Sequence, residues 1–342
     1  MERSEAERYL RQTLPGARGL ELTSLTRTYP GMSRETWLAD ARWFENGNEI
    51  THGFVFRMDT PGGSVVPTPL RREYDVYRLL DNSQVPVPRA LWYETEAGWL
   101  TQDRDFYVRD KLEGSTGIPN LFDPLPEYDA LRLTVAHEHL SKLAAIHTLD
   151  WESLGFGTVL EAPTAGASAA MFDLDHWEET FDDVRPEPYP VMREIFWWLR
   201  NHQPPAANRI SLVKGNNGIG EEIWNGTTIV GMSDWELAHL GDPTEDWTWM
   251  QLNPRTGAQG IGELFDEAQL REIYEEKSGI VLRDESLQYY HIVHGLKALI
   301  CTITAAGMVA GGNDLRSSTA GMGLGAYRAQ AGLAQAIGLI SS

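Results

Sequence analysis

Lys214-Gly215-Asn216 and Glu221 lie a short distance before Ser233-Asp234-Trp235-Glu236, so an ammonium, an amide and several carboxylates are concentrated in one stretch of the chain. Oxygen-bearing side chains such as Asn216, Glu221 and Asp234, if brought to one point, form the ligand set of a hard cation. Magnesium bound by so few protein ligands usually also binds phosphate. An amide has no basic lone pair near neutral pH, so Asn216 is not a general base. Lys214, Glu221 and Glu222 could instead serve acid/base chemistry without a nucleotide.

The surrounding sequence supplies elements to position these groups. Leu212-Val213, Ile223-Trp224 and Ile229-Val230-Gly231-Met232 are short β-type runs, and Asn225-Gly226 reads as the turn of a hairpin. Loop, strand, hairpin, strand and acidic loop in succession bring the two loop tips side by side.

Together these segments resemble the catalytic core of the aminoglycoside phosphotransferase-like (APH/choline kinase-type) kinases, most of all the branch also found fused to acyl-CoA dehydrogenases. The second family motif, (I/L)-D-W-E-x-x-x-x-G-D-P, stands here as Asp234-Trp235-Glu236 and Gly241-Asp242-Pro243. The first, H-G-D-x-x-x-x-N, is degenerate: Lys214 replaces His, Asn216 the base Asp, and Glu221 the metal-binding Asn. The resemblance implies ATP and Mg²⁺ as cofactors, Asp234 and Glu221 as metal ligands, and a catalytic group made of Asn216, Lys214 and Asp234.

It also implies an α+β, bilobal protein-kinase-like fold: a small β-rich N-lobe (residues 1–112) and a larger, mainly helical C-lobe (113–342) carrying the catalytic-type loops at 212–243. β-rich runs at 20–28, 36–44 and 53–58 fit the small lobe, after a short helix capped by Ser4 and Glu7. Gly31 and Ser33, in a Gly-Met-Ser turn, fall where the family places its phosphate-covering loop. Arg57 falls at the phosphate-reaching position of the third strand, and Glu73, in a helical pattern over 70–80, is its expected partner. Phe106 to Gly114 resembles the last small-lobe strand and the hinge, with 110–114 as the connection where an adenine would meet backbone groups. Helices are expected over 128–149, 172–184, 191–200, 263–278, 284–306 and 326–339. Residues 159–170 are expected to be a long loop, Asp246 to Met250 to continue into a loop rich in Gly and Pro, and the glycines of 321–325, before the final helix, to serve close helix packing. The aromatic helices at 172–200 form one wall of the acceptor cleft in the family, favouring an apolar or aromatic, hydroxyl-bearing small molecule as substrate.

The chain has 342 residues, 49 acidic and 29 basic, a formal charge of −20 that argues against nucleic acid and anionic membrane surfaces. No apolar run of membrane-spanning length is evident. The lone Cys301 sits in an apolar segment, which with the charged N-terminus fits a cytoplasmic protein. His137 and His139 lack metal-ligand spacing, and His291 and His294 read as structural. Three functions remain: phosphoryl transfer with an atypical catalytic loop, a kinase fold given dehydration, isomerisation or hydrolysis chemistry, and a nucleotide-binding pseudokinase. Oligomeric state is not encoded in these patterns.

Overall fold

The computed structural model describes residues 1–28, 31, 33–96, 98–100, 103–164, 168–185, 187–251 and 267–340. Helix α1 (Arg3–Thr13) leads into β1 (Arg18–Arg27), β2 (Arg34–Glu45) and β3 (Asn48–Asp59). Then come α2 (Leu70–Leu80), β4 (Ala90–Glu94) and β5 (Phe106–Asp110). The strands form one antiparallel sheet in the order β1-β2-β3-β5-β4. A two-residue loop, Asn46-Gly47 with φ of 51° and 84°, joins β2 to β3, the positive angles that a tight hairpin demands.

Side-chain alternation gives the two sheet faces different tasks. Phe56, Phe106 and Val108 pack with Tyr9 and Leu10 of α1. Tyr107 turns the other way, against Tyr74 and Tyr77 of α2. Thr36, Arg57 and Tyr107 pair in register across β2, β3 and β5, so all three share the α2 face. Arg109, two residues beyond Tyr107, belongs to that face as well.

The helical lobe is built on α3 (Asp129–His147) and α8 (Asp284–Ala310). A core joining α3 to α2, Trp224 and Trp235 runs through both lobes. A second core packs α8 against α4 (Ala169–Val184), α5 (Pro190–Asn201) and α10 (Ala326–Ala336). The aromatics Trp177, Phe181 and Phe196 are buried in it, as core residues, while Trp197 is exposed. The lobes are also stitched by main chain, Met232 N donating to Pro86 O at 2.7 Å, and just past their boundary Ser115 and Trp224 exchange bonds of 2.9 and 2.8 Å. Val65 and Val66, in the link from β3 to α2, dock on Cys301, Ala305 and Met308 of α8.

Several local expectations are corrected. The capping box of α1 is Glu2 with Glu5 rather than Ser4 with Glu7; Glu5 accepts the Glu2 N–H at 2.6 Å, and Glu7 is engaged by Arg11. The later hairpin, β7 (Glu222–Asn225) with β8 (Thr228–Met232), pairs Asn225 with Thr228, so its loop is Gly226-Thr227. Asp246 to Met250 lie in α6 (Thr244–Gln251), where Asp242 Oδ1 accepts the Thr244 N–H at 2.9 Å and caps the helix; the Gly- and Pro-rich loop expected beyond them lies outside the described residues. The glycine-rich run lies largely within α9 (Ser317–Leu324), and its expected use in close helix packing is met at Gly323, which leaves no room for a Cβ against Ala306 of α8. Before it, α7 (Glu267–Ser278) matches the expected helix, whose residues 263–266 lie outside those described.

One helix does have the length and composition of a membrane span: α8 has a mean hydropathy of 1.7 over its best 18-residue window. Its isoleucines, leucines, valines and alanines raise that average although His294 and Lys297 interrupt the apolar run, and most of the window is buried in the core.

Gly114, at φ 152°, crosses between the lobes where a Cβ would lie 2.6 Å from the Trp224 carbonyl oxygen. Gly114→Ala is therefore expected to cost about 2 kcal/mol or more, read from the urea midpoint. A loss near zero would mean that the crossing tolerates rearrangement.

Candidate nucleotide and catalytic site

Strand β6 (Ser211–Val213) pairs antiparallel with β9 (His239–Gly241), beside the β7–β8 hairpin. Loops 214–221 and 233–238 therefore leave adjacent strand ends and touch. At Gly215, φ is 77° and a Cβ would fall 2.5 Å from the Leu237 carbonyl oxygen, so the contact requires glycine. Asn216 Nδ2 donates to Asp234 Oδ2 at 2.7 Å. Asp234 itself has φ 66°, a strained region for a residue other than glycine, and its N–H is 3.3 Å from the Tyr77 hydroxyl.

Arg57 faces these loops from the sheet. Its Nε donates to Glu73 Oε2 at 3.2 Å, its Nη1 to Thr36 Oγ1 at 2.9 Å, and its Nη2 to Asp234 Oδ1 at 3.0 Å. The expected pair of Arg57 and Glu73 is thus formed and directed at the second loop. A further residue was missed by sequence reasoning: Arg34, fully buried, donates to Asp59 (2.8 Å), Glu73 (3.2 Å) and Glu236 (3.0 Å). The available signal was its place at the start of β2, just before Thr36, which pairs with Arg57.

Glu221 and Asp234 are electrostatically opposed. Burial and then the Asp234 charge push the Glu221 carboxyl well above its usual range. Burial also disfavours ionised Asp234, but Arg57 and Lys214 more than offset this and hold it below the usual range. Carboxyls therefore outnumber cations where Arg34, Arg57 and Lys214 meet Glu73, Glu236, Asp234 and Glu221. Asn216 Oδ1 is buried beside them with no hydrogen-bond partner. Excess carboxylate plus an orphaned amide oxygen is a donor set that fits a hard divalent cation.

The remaining expected residues fall in different places. Lys214 is buried, gives its Nζ hydrogen bond to the Asn216 carbonyl oxygen and lies 5.8 Å from the Trp235 ring centroid. It would have to release that bond to reach a transferred group. Glu222 is turned away into the core, 3.1 Å from His139. Gly31 and Ser33 lie in the β1–β2 connection that leads into Arg34; Pro30 and Met32 of that turn lie outside the described residues.

Asp173, His239 and Glu245 form a second acidic and imidazole group that could hold a metal by geometry. The Lys297 ammonium occupies it, donating to Asp173 at 3.0 Å and to Glu245 at 2.6 Å.

The first loop is anchored from below by Asp246, which accepts the N–H groups of Lys214 (2.7 Å) and Gly215 (2.8 Å). His147 Nε2 donates to the same carboxylate at 2.9 Å, leaving Nδ1 to accept from the Tyr274 hydroxyl at 2.7 Å. Burial works against ionised Asp246, but the His147 bond and the two N–H groups hold it below the usual range. Its contribution is therefore complete above the unfolded carboxylate pKa, about 4, and is lost as pH falls below that. Asp246→Ala should lower stability by about 3 kcal/mol at neutral pH, with a difference from wild type that shrinks in acid; a loss below about 1 kcal/mol would show that the loop stands without it.

Comparison with known proteins agrees with this architecture. Over 297 residues the chain is 25% identical to acyl-CoA dehydrogenase family member 11 of Rattus norvegicus, covering 83% of this chain and 34% of that protein. The Homo sapiens counterpart is 24% identical, covering 72% of this chain and 30% of that one. The chain thus spans about a third of the length of these relatives. A Ralstonia eutropha protein assigned to the aminoglycoside phosphotransferases superposes with a TM-score of 0.68 at 20% identity, covering 100% of this chain and 99% of its own. Aminoglycoside phosphotransferase APH(4)-Ia, in a ternary complex with AMP-PNP and hygromycin B, gives 0.59 at 16% identity, covering 98% of each chain. The model of the phosphotransferase enzyme family (APH) matches residues 34–277, and the chain belongs to that family.

Proposed function

We propose that this protein is an ATP- and Mg²⁺-dependent small-molecule phosphotransferase with an atypical catalytic loop. The observation that carries this reading is Arg57, held by Glu73 on one side and bonded to Asp234 on the other, a cation oriented at the loop of the intact second motif. A guanidinium fixed in this way binds phosphate oxygens with little ordering cost. Asp234 and Glu221 would hold a magnesium ion, which supplies charge neutralisation between phosphate groups when bound. The division into a β-rich lobe at 1–112 and a helical lobe at 113–342, with the nucleotide between them, belongs to the same proposal. The acceptor is a hydroxyl-bearing small molecule.

Asn216 fixes Asp234 through Nδ2 and keeps Oδ1 as an acceptor for a substrate hydroxyl; it takes up no proton. Positioning and charge stabilisation carry most of phosphoryl transfer, so a slow reaction survives the loss of the base. The same substitution favours a second reading, nucleotide binding without transfer. Nucleotide-independent acid/base chemistry has less support, since Glu222 points into the core.

Calorimetric titration with ATP, with and without Mg²⁺, tests the proposal; binding that does not depend on Mg²⁺ would sink the metal role. Asp234→Ala should weaken Mg·ATP binding by at least about tenfold. Asn216→Asp restores a carboxylate at the base position and should raise transfer to water or a surrogate alcohol on the order of 10²-fold. No gain, with binding intact, would favour the non-transferring reading.

A further inference from the structure

Arg109 is the last residue of β5 to face α2, immediately before the connection between the lobes. It is 8% exposed, and its Nε and Nη1 are sealed from solvent without a hydrogen-bond partner. Its contact among the described residues is the Tyr77 ring, 5.4 Å from the guanidinium carbon. A buried guanidinium is normally bonded to carboxylates or carbonyls, as Arg34 is in this protein. Arg109 has neither, and unsatisfied donors of this kind mark a place for an incoming acceptor.

Its surroundings indicate what that acceptor belongs to. On one side the chain continues into 111–114, where Leu112 covers Gly231 so closely that no Cβ fits. On the other, the Tyr77 hydroxyl touches the Asp234 N–H, and Asp234 is bonded to Arg57. Arg109 thus stands between the backbone that would meet a base and the groups that would meet its phosphates. A purine with its ring edge on 110–114 and its phosphates at Arg57 turns its 6-substituent toward the end of β5. Adenine offers an amino donor there, which opposes a side chain that has donors alone. Guanine and hypoxanthine offer an oxygen.

We propose that Arg109 selects a nucleotide whose purine carries an oxo group at position 6, so that GTP and ITP bind in preference to ATP. This rests on the nucleotide reading above and specifies its base. A site built to bond one polar group discriminates strongly against an analogue that leaves it unpaired.

The test is titration of the intact protein with GTP, ITP and ATP, each in Mg²⁺. GTP and ITP are expected to bind at least about tenfold more tightly than ATP, the scale of one hydrogen bond to a charged group. ITP lacks the 2-amino group, so equal affinities for ITP and GTP locate the discrimination at position 6. Arg109→Met should abolish the difference, and Arg109→Lys should retain its direction. ATP binding as tightly as ITP to the wild type overturns the proposal and leaves nucleotide binding standing, whatever the stability of the variants. An unchanged ratio in folded Arg109→Met also overturns it. Failure of all three nucleotides to bind overturns it together with the nucleotide reading.

Discussion

Two arginines buried beneath one loop constrain much of this structure. Arg34 and Arg57 arrive from neighbouring strands, Glu73 from α2, and Asp234 and Glu236 from the loop after β8. Removing guanidinium groups from water is costly, and only close carboxylates offset it. The sheet, α2 and the helical lobe must therefore meet in one arrangement, because shifting any of them strands a charge. Such a network adds less net stability than its bonds suggest; its effect is to fix geometry. Here the geometry fixed is that of Arg57 relative to Asp234.

Frame and chemistry are separable in the catalytic-type loop. Its backbone is held by Asp246, itself oriented by His147 and Tyr274, and by the glycine contact at Gly215. None of these supports depends on the residues that depart from the family motif. Lys214 contributes its backbone N–H to Asp246 and turns its ammonium back to the loop, while Asn216 forms its bond to Asp234 through an amide. The loop can thus keep its shape while its proton chemistry changes. What differs is the placing of charge: a carboxyl has left position 216, and one stands at 221, where burial and the neighbouring Asp234 raise its pKa.

The two clusters of opposite charge illustrate how a cation requirement can be met internally or left open. At Asp173, Glu245 and His239 the demand is satisfied by Lys297, which lies above the Trp177 ring and ties α4, α6 and β9 to α8. At Glu221 and Asp234 the nearby Arg57 is shared with Glu73 and Glu236, and the Lys214 ammonium is turned to the Asn216 carbonyl oxygen. Acid groups close in space are therefore a weak sign of a metal until the available ammonium and guanidinium groups are counted.

The sequence by itself determined the elements and the motif positions. The β-rich runs within residues 20–58, the helical spacing at 70–80 and the intact Asp234-Trp235-Glu236 stretch were local signals, and Arg57 with Glu73 followed from the family resemblance those signals carry. The sequence also showed that Asn216 cannot act as a base, since that depends on residue type alone. Tertiary structure decided which groups meet. Glu221 and Glu222 are adjacent in the chain, yet one turns to Asp234 and the other to His139, because β7 begins there and successive side chains alternate. Arg34 and Arg109 carry no local mark of their surroundings, since their partners, or the lack of them, come from segments distant in sequence. The extent of the short elements came from tertiary structure for a related reason: α6 depends on a cap and on packing against α8, which periodicity over so few residues does not reveal.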